Sequence, residues 1–304
     1  MTKNNQHKIL AIVGPTATGK TKLAIALSRQ FPSILISADS RQVYRGMDVV
    51  TGKDHPPGHP IIGLDLVEPN ESCSVSIWYD AVIPHIKRAW KQGKLPIVVG
   101  GTGLYVRALT DGISTLSVPI NHSLRTKLES LTVLKLQSYL KTIAPAKFLA
   151  LNHSDVNNPR RLIRAIEVAE YSALHSPQPT SHQLPSTLII GLRYNNISAY
   201  QKKVRDRVLA RIQTGALAET ERLLPTASPQ ALSGIGYRSL SAQLHSELSY
   251  DQMINNWVAD ECSYAKRQLT YFNKMPNLIW HDPTSSNIAK LASVVKAWYD
   301  KATK

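Results

Sequence analysis

The run Gly14-Pro15-Thr16-Ala17-Thr18-Gly19-Lys20-Thr21 carries the clearest chemistry in this chain. It fits G-x-x-x-x-G-K-[ST], a phosphate-binding loop. The glycines let the backbone curl so that its N–H groups converge on phosphate oxygens, and a helix behind the loop adds its positive N-terminal end. Lys20 would neutralise a terminal phosphate, and the Thr21 hydroxyl would hold Mg²⁺. The motif needs a strand before it and a helix after it. Ile9–Val13 is a short apolar run and Lys22–Ser28 has a helical pattern, so that context is met. A bound polyphosphate is expected, of unspecified kind and fate.

Other segments could serve such a loop. Ser37-Ala38-Asp39-Ser40-Arg41-Gln42-Val43-Tyr44 follows a second apolar run, and Gly100-Gly101-Thr102-Gly103-Leu104-Tyr105 follows a third. Asp39 could bind Mg²⁺ through water or take a proton from a nucleophile. Asp39 or Ser40 could instead cap a following helix. Thr102 has the same two options, a substrate hydrogen bond or a cap. A nucleotide hydrolase often ends its third strand in an acidic residue. Glycines stand here instead, which counts against a hydrolase and leaves room for a small-molecule kinase.

Lys203, Arg207 and Arg211 recur every fourth residue beside the apolar stripe Val204, Val208 and Ile212. Arg207 would reach the phosphates, or the face is simply solvated. Arg160, Arg164 and Glu167 share a face of a helix opened by Pro159. That face could grip a phosphate backbone or pair internally. Near the end, Tyr264, Arg267 or Gln268, and Tyr271 can share a face suited to stacking on unpaired bases, or the aromatics are core and the cations outside.

The elements that must position these groups read as an α/β fold. Ile9–Val13, Ile34–Ser37, Leu95–Val99 and Thr187–Leu192 are buried-strand runs, with helical patterns between them. Ser76–Gln92 is one such pattern, with Ile77, Ala81, Ile86 and Trp90 loosely on one face and Pro84 predicting a kink or late start. Alternating strands and helices imply a doubly wound parallel sheet, whose ligands bind beyond the strands' carboxyl ends. From Pro119 to Pro185 the strand signal disappears. Arg125, Lys127, Lys135, Lys141, Lys147, Arg160, Arg161 and Arg164 outnumber Glu129, Asp155, Glu167 and Glu170 there. The expected organisation is a core over 1–118, a basic helical insertion over 119–186 leaving through the proline-containing Ser176–Pro185, and core completion with C-terminal helices over 187–304.

The chain has 304 residues, 43% hydrophobic and 19% charged, as in an ordinary globular protein. The N-terminus lacks a signal-like apolar stretch and no run reaches transmembrane length, so a cytoplasmic site of action is expected. Cys73 and Cys262 alone cannot build a disulfide framework or a four-ligand zinc site. Lys plus Arg total 36 against 21 Asp plus Glu, a net charge of +15. A polyanionic partner such as nucleic acid would explain that excess.

Taken together, GPTATGKT at Gly14, SADSRQVYRGMD at Ser37, GGTGLYVRAL at Gly100, PRRLIRAIEV at Pro159, IGYRSL at Ile235 and YAKRQLTYF at Tyr264 closely resemble the tRNA isopentenyltransferase family, in the family's order and across nearly the whole chain. The resemblance implies a P-loop NTPase-like core and prenyl transfer from dimethylallyl diphosphate to the exocyclic amine of an adenosine just 3′ of the tRNA anticodon. In that reading the loop grips a diphosphate leaving group. Lys20, Arg207 and Mg²⁺ at Thr21 stabilise the charge growing on it, Asp39 accepts a proton and Thr102 bonds near the amine. The family pattern also assigns tRNA contact to Asp39, Ser40, Arg41, Gln42, Thr102, Arg125, Arg160, Arg161, Leu162, Ile163, Arg164, Lys266, Arg267 and Gln268. A bacterial-type monomer is implied, with no zinc-finger extension visible. Departures from the pattern are Gly58-His59 where the family usually has a His-His pair, Asn158 where it often has Asp, and Tyr271 and Asn273 where Trp and Arg are commoner. Rival functions are an ATP-dependent small-molecule kinase, an adenylate isopentenyltransferase acting on free nucleotide, and a non-catalytic RNA-binding protein with a vestigial loop.

Overall fold

The structure is a computed structural model that describes residues 7–175, 184–284 and 288–301. It separates into two compact units, one formed by Met1–Gly112 with Leu184–Lys304 and the other by Ile113–Gln183.

The first unit is built on β1 (Lys8–Val13), β2 (Ser33–Ser37), β3 (Ile61–Ile62), β4 (Leu95–Gly100), β5 (Ser186–Leu192) and β6 (Leu278–His281). All pair in parallel, in the order β3-β2-β4-β1-β5-β6. The four strands expected from apolar runs are present. Two more flank them at the edges. After Leu192 a mostly helical chain was expected, yet Leu278–His281 pairs with β5. β3 has only two residues and β6 is half-buried, so neither has the continuous apolar run that marks a central strand.

Before the second unit come α1 (Lys20–Ser28), α2 (Val75–Lys91) and α3 (Gly103–Thr110). Ser74 caps α2 by accepting the N–H of Ile77, and the helix continues through Pro84 without a late start. Its buried stripe is Trp78, Val82, Ile86 and Ala89, so the expected face was offset and Ile77 lies exposed. Alternation along the strands sends side chains to two cores. Ile9, Ala11 and Val13 face Trp78, Tyr105 and Trp257, whereas Leu10 and Ile12 face Leu23, Leu27 and Val295. Burial on both sides is what makes the central strands read as unbroken apolar runs.

The second unit holds α4 (His122–Glu129), α5 (Val133–Ile143), α6 (Pro145–Leu149), α7 (His153–Val156) and α8 (Pro159–Leu174) around Leu128, Leu136, Leu140, Leu162 and Ile166. Asn158 caps α8 and Pro159 occupies its first turn. The Ser176–Pro185 exit expected from sequence lies largely outside the described residues.

The first unit resumes with β5 and continues through α9 (Ile197–Gln213), α10 (Ala216–Leu223), α11 (Pro229–Leu232), α12 (Tyr237–Leu244), α13 (Tyr250–Phe272), β6 and α14 (Ile288–Asp300). A reciprocal Ser249–Gln252 capping box starts α13. Among the described residues, no helix is long and apolar enough to cross a membrane.

Candidate active site

A cleft of about 980 Å³ opens at the carboxyl ends of β1, β2 and β4. The loop after β1 forms one wall. Gly14 and Gly19 adopt φ of 138° and 81°, and a Cβ on Gly14 would overlap the Leu192 carbonyl of the adjoining strand. Thr16, Ala17, Gly19, Lys20 and Thr21 line the cleft. Thr18 turns inward, its hydroxyl donating to the Pro15 carbonyl at 2.9 Å, so it shapes the loop from within. The Lys20 ammonium donates to the same carbonyl at 2.6 Å.

The loop after β2 presents Asp39, Ser40, Arg41 and Gln42 to the cleft. No helix follows β2, so Asp39 and Ser40 are not helix caps. Asp39 Oδ1 instead accepts the N–H of Arg41 at 2.9 Å, a local turn that holds the carboxylate at the strand end. Arg41 donates to the Gln230 carbonyl at 2.7 Å, and Gln42 spans Ser37 and the Gly52 carbonyl. Thr102 stands at the N-terminus of α3 without capping it. Its hydroxyl accepts the Ser40 N–H at 2.9 Å and donates to the Ser40 hydroxyl at 3.3 Å, which ties the β4 loop to the β2 loop. Gly100 and Gly101 allow this close approach: a Cβ on Gly100 would overlap Ala38, and one on Gly101 the Gln268 amide.

The opposite wall comes from α9 and α13. Arg207 and Arg211 line it, whereas Lys203 is exposed outside it. Arg211 is buried and donates to Glu261 at 2.9 Å and to the Thr51 carbonyl at 3.3 Å. Tyr264, Arg267 and Gln268 also line the cleft, and Lys266 is exposed outside it. Gln268 is buried and donates to the Gly101 carbonyl at 2.9 Å. The stacking face expected to include Tyr271 divides here. Tyr271 packs on Gly103 and edge-on against Phe272, so it supports α3 and is turned away from the cleft.

Lysines and arginines outnumber carboxylates in the cleft: Lys20, Lys22, Arg29, Arg41, Arg207, Arg211 and Arg267 line it with Asp39, Asp54 and Glu261. Lys20 is lowered to about 8, first by burial and then by the Arg207 charge, with Asp39, Glu261 and Asp54 partly offsetting both. Burial and then Arg207 lower Arg211 to about 10, against the pull of Glu261. Burial pushes the Tyr264 phenol up to about 12, as does Asp39, while Arg41 and a Thr102 hydrogen bond oppose the rise. Cations gathered in a partly buried cleft, with Lys20 losing basicity chiefly through burial and then through Arg207, make a site suited to a multiply charged anion. Among the described residues, no group of three or more His, Cys, Asp or Glu could hold a metal ion by itself. A hard cation here would take Thr21, water and the anion's own oxygens, a donor set that suits Mg²⁺.

Sequence patterns did not single out Thr51, Gly52, Asp54, Ser233, Gly234, Ile235 or Glu261 as cleft residues. Ile235 opens the IGYRSL segment of the family resemblance, and beyond it only the glycines carried a signal. Gly52 has φ of 64° and its missing side chain makes room for the Arg207 and Arg211 guanidinium groups.

Within the second unit, the residues expected on tRNA divide by burial. Arg160 and Arg161 are exposed, and Arg161 also pairs with Asp155. Leu162 and Ile163 are core residues, packed with Leu128, Leu136 and Leu140. Their side chains face inward because α8 buries that stripe, which leaves the backbone of this turn as what they could offer a ligand. Arg125 makes two bonds to the buried Glu167, at 3.0 and 2.9 Å. Arg164 pairs with the same carboxylate and donates to the Thr115 and Val118 carbonyls at 2.7 and 2.9 Å. Both arginines thus brace the unit from inside.

A family model described as "IPP transferase" matches residues 42–275, and one described as "Isopentenyl transferase" matches residues 7–58. The chain is 33% identical over 303 residues to tRNA dimethylallyltransferase 1 of Parabacteroides distasonis, covering 95% of this chain and 97% of that protein. It is 36% identical to the tRNA dimethylallyltransferase of Shouchella clausii, with 90% and 91% covered. The crystal structure of the full-length tRNA isopentenylpyrophosphate transferase of Bacillus halodurans superposes with a TM-score of 0.71 at 30% identity, covering 97% of both chains. The likeness embraces both segments that meet at the cleft, the phosphate loop and the arginine-bearing helix, and on that basis this chain belongs to the tRNA dimethylallyltransferase (IPP transferase) family.

Proposed function

We propose that this protein transfers the dimethylallyl group of dimethylallyl diphosphate to the N6 amine of the adenosine 3′ of the anticodon in tRNA, releasing diphosphate. The observation that supports this most directly is the meeting of Lys20, Arg207 and Arg211 with the Asp39 carboxylate in one cleft at the strand ends. The cations match a diphosphate, and Asp39 supplies a base that a phosphate-binding module alone does not need.

The amine nitrogen forms a bond to C1 of the dimethylallyl group while the bond from C1 to the diphosphate oxygen breaks with its electron pair. Lys20, Arg207 and the loop N–H groups hold the departing charge. Asp39, fixed by its turn with Arg41, takes the proton the amine loses. Thr102, anchored to Ser40, sets the distance between the base and the glycines that end β4. Thr21 would hold Mg²⁺, which supplies further charge neutralisation on the diphosphate. An adenosine must leave its stack to enter such a cleft, which favours a loop substrate. Exposed Arg160 and Arg161 and the net charge of +15 suit an RNA partner, and the protein acts as a cytoplasmic monomer in this proposal.

Incubation with unmodified tRNA, Mg²⁺ and labelled dimethylallyl diphosphate should place label on the anticodon loop. No transfer to tRNA sinks the proposal. Label on free AMP instead would make it an adenylate isopentenyltransferase, and ADP release from ATP would make it a kinase.

A further inference from the structure

Residues 44–54 form an irregular loop beside the cleft, held by buried charge. Glu219, on α10, lies outside the cleft and is buried. Its Oε2 accepts the N–H groups of Asp48 and Val49, both at 2.7 Å. Its Oε1 accepts the N–H of Val50 at 3.0 Å and the Tyr237 hydroxyl at 2.9 Å. Three successive backbone donors with no partner in a helix or strand thus find one carboxylate. At the loop's other end Lys53 has a fully buried side chain that donates to the Tyr44 carbonyl, to Asp65, and to Asp48 at 2.7 Å. Between these two anchors lie Thr51 and Gly52. The Thr51 carbonyl takes Arg211, and Gly52 leaves the space into which Arg207 and Arg211 fit.

We propose that Glu219 is a positioning residue for the anion site: by fixing Asp48–Val50 it sets the depth of the Thr51–Gly52 backbone, and that backbone aims the Arg207 and Arg211 guanidinium groups into the cleft. The proposal rests on the diphosphate-transfer function only for the identity of the anion. The chemistry requires a carboxylate. A glutamine has one acceptor oxygen, and its NH₂ group would face backbone donors in place of the second oxygen. Glu219→Gln therefore unseats the loop while keeping side-chain volume. Gly52→Ala perturbs the same relationship from the other end, because its Cβ would overlap both guanidinium groups.

The test compares wild type, E219Q and G52A by thermal unfolding, by calorimetric binding of inorganic diphosphate with Mg²⁺, and by transfer kinetics with an anticodon stem-loop RNA. Folded variants should bind diphosphate about tenfold or more weakly, the scale of a weakened charge-assisted contact. KM for the prenyl donor should rise in parallel, with KM for RNA changed less than about twofold. A folded E219Q or G52A with wild-type diphosphate affinity overturns the inference, as does an equal loss toward donor and RNA. If E219Q does not fold, G52A decides. Should wild type bind diphosphate yet transfer no prenyl group, the proposed function fails, and the diphosphate affinities still decide the role of Glu219.

Discussion

Arg211 and Glu261 form a buried ion pair, 2.9 Å apart, on the wall of the cleft that holds Lys20. Removing one partner of such a pair leaves an uncompensated buried charge. Glu261→Ala should destabilise the protein by about 3–5 kcal/mol in urea titrations. Added diphosphate should raise the midpoint of the variant more than that of wild type, because the anion replaces the lost charge. An equal rise in both proteins would place Arg211 outside the reach of the anion.

Lys20 should make diphosphate binding pH-dependent. Its folded value is about 8, below the ordinary 10.5, chiefly through burial and secondarily through Arg207. Below about 8 both folded and unfolded chains carry the charge. Between about 8 and 10.5 the unfolded chain binds more protons, so this lysine's penalty on stability is relieved as pH rises. Diphosphate affinity should fall through the same window as the ammonium is lost. Calorimetry from pH 7 to 9.5 checks this, with Lys20→Arg as a permanently charged control that should lose the component due to Lys20. Parallel profiles for the two would assign the titration to another group.

Asp39→Ala should lower kcat by about 10²- to 10⁴-fold, the usual worth of a positioned base. Affinity for tRNA should change less than about threefold. Equal losses in turnover and tRNA affinity would reduce Asp39 to a binding or structural residue. Single-turnover rates beside filter-binding measurements separate the two.

Arg160→Ala should weaken tRNA binding and reduce the slope of log affinity against log salt by about one. Leu162→Ala, two residues along the same helix, should instead cost about 2–5 kcal/mol of stability by opening a core cavity. An unchanged salt slope for Arg160→Ala would make it an ordinary solvated residue.

Glu167 predicts acid sensitivity of the helical unit. Burial would raise its carboxyl, but bonds from Arg125 and Arg164, and from the Asn121 N–H, outweigh that and hold it below the ordinary 4.5. Its stabilisation is therefore complete above about 4.5 and is lost as pH falls through the depressed folded value. Glu167→Gln should flatten the acid limb of the unfolding curve; an unchanged limb would locate the acid lability elsewhere.

The phosphate loop, the four central strands and the carboxyl-end position of Asp39 and Thr102 were legible in the linear sequence, for one physical reason. A strand buried on both faces must be apolar throughout, and a backbone that curls around phosphate must have glycine at fixed offsets. These demands act within a few residues, so the chain displays them. The edge strands escaped because two paired residues, or four half-buried ones, have no such constraint.

Only the tertiary structure decided what each charge does. Glu261 and Arg211 are 50 positions apart and acquire their roles by sharing a low-dielectric wall, as Glu219 does by meeting the N–H groups of Asp48–Val50 from another helix. Arg160 and Arg164 share one face of α8, yet the first faces solvent in the opening turn and the second holds Glu167, because the Thr115 and Val118 carbonyls pack against the later turn. Residue type and spacing determine that a cation is present. Burial and the nearest opposite charge, both set by packing between distant segments, decide whether it braces the protein or remains open to a ligand.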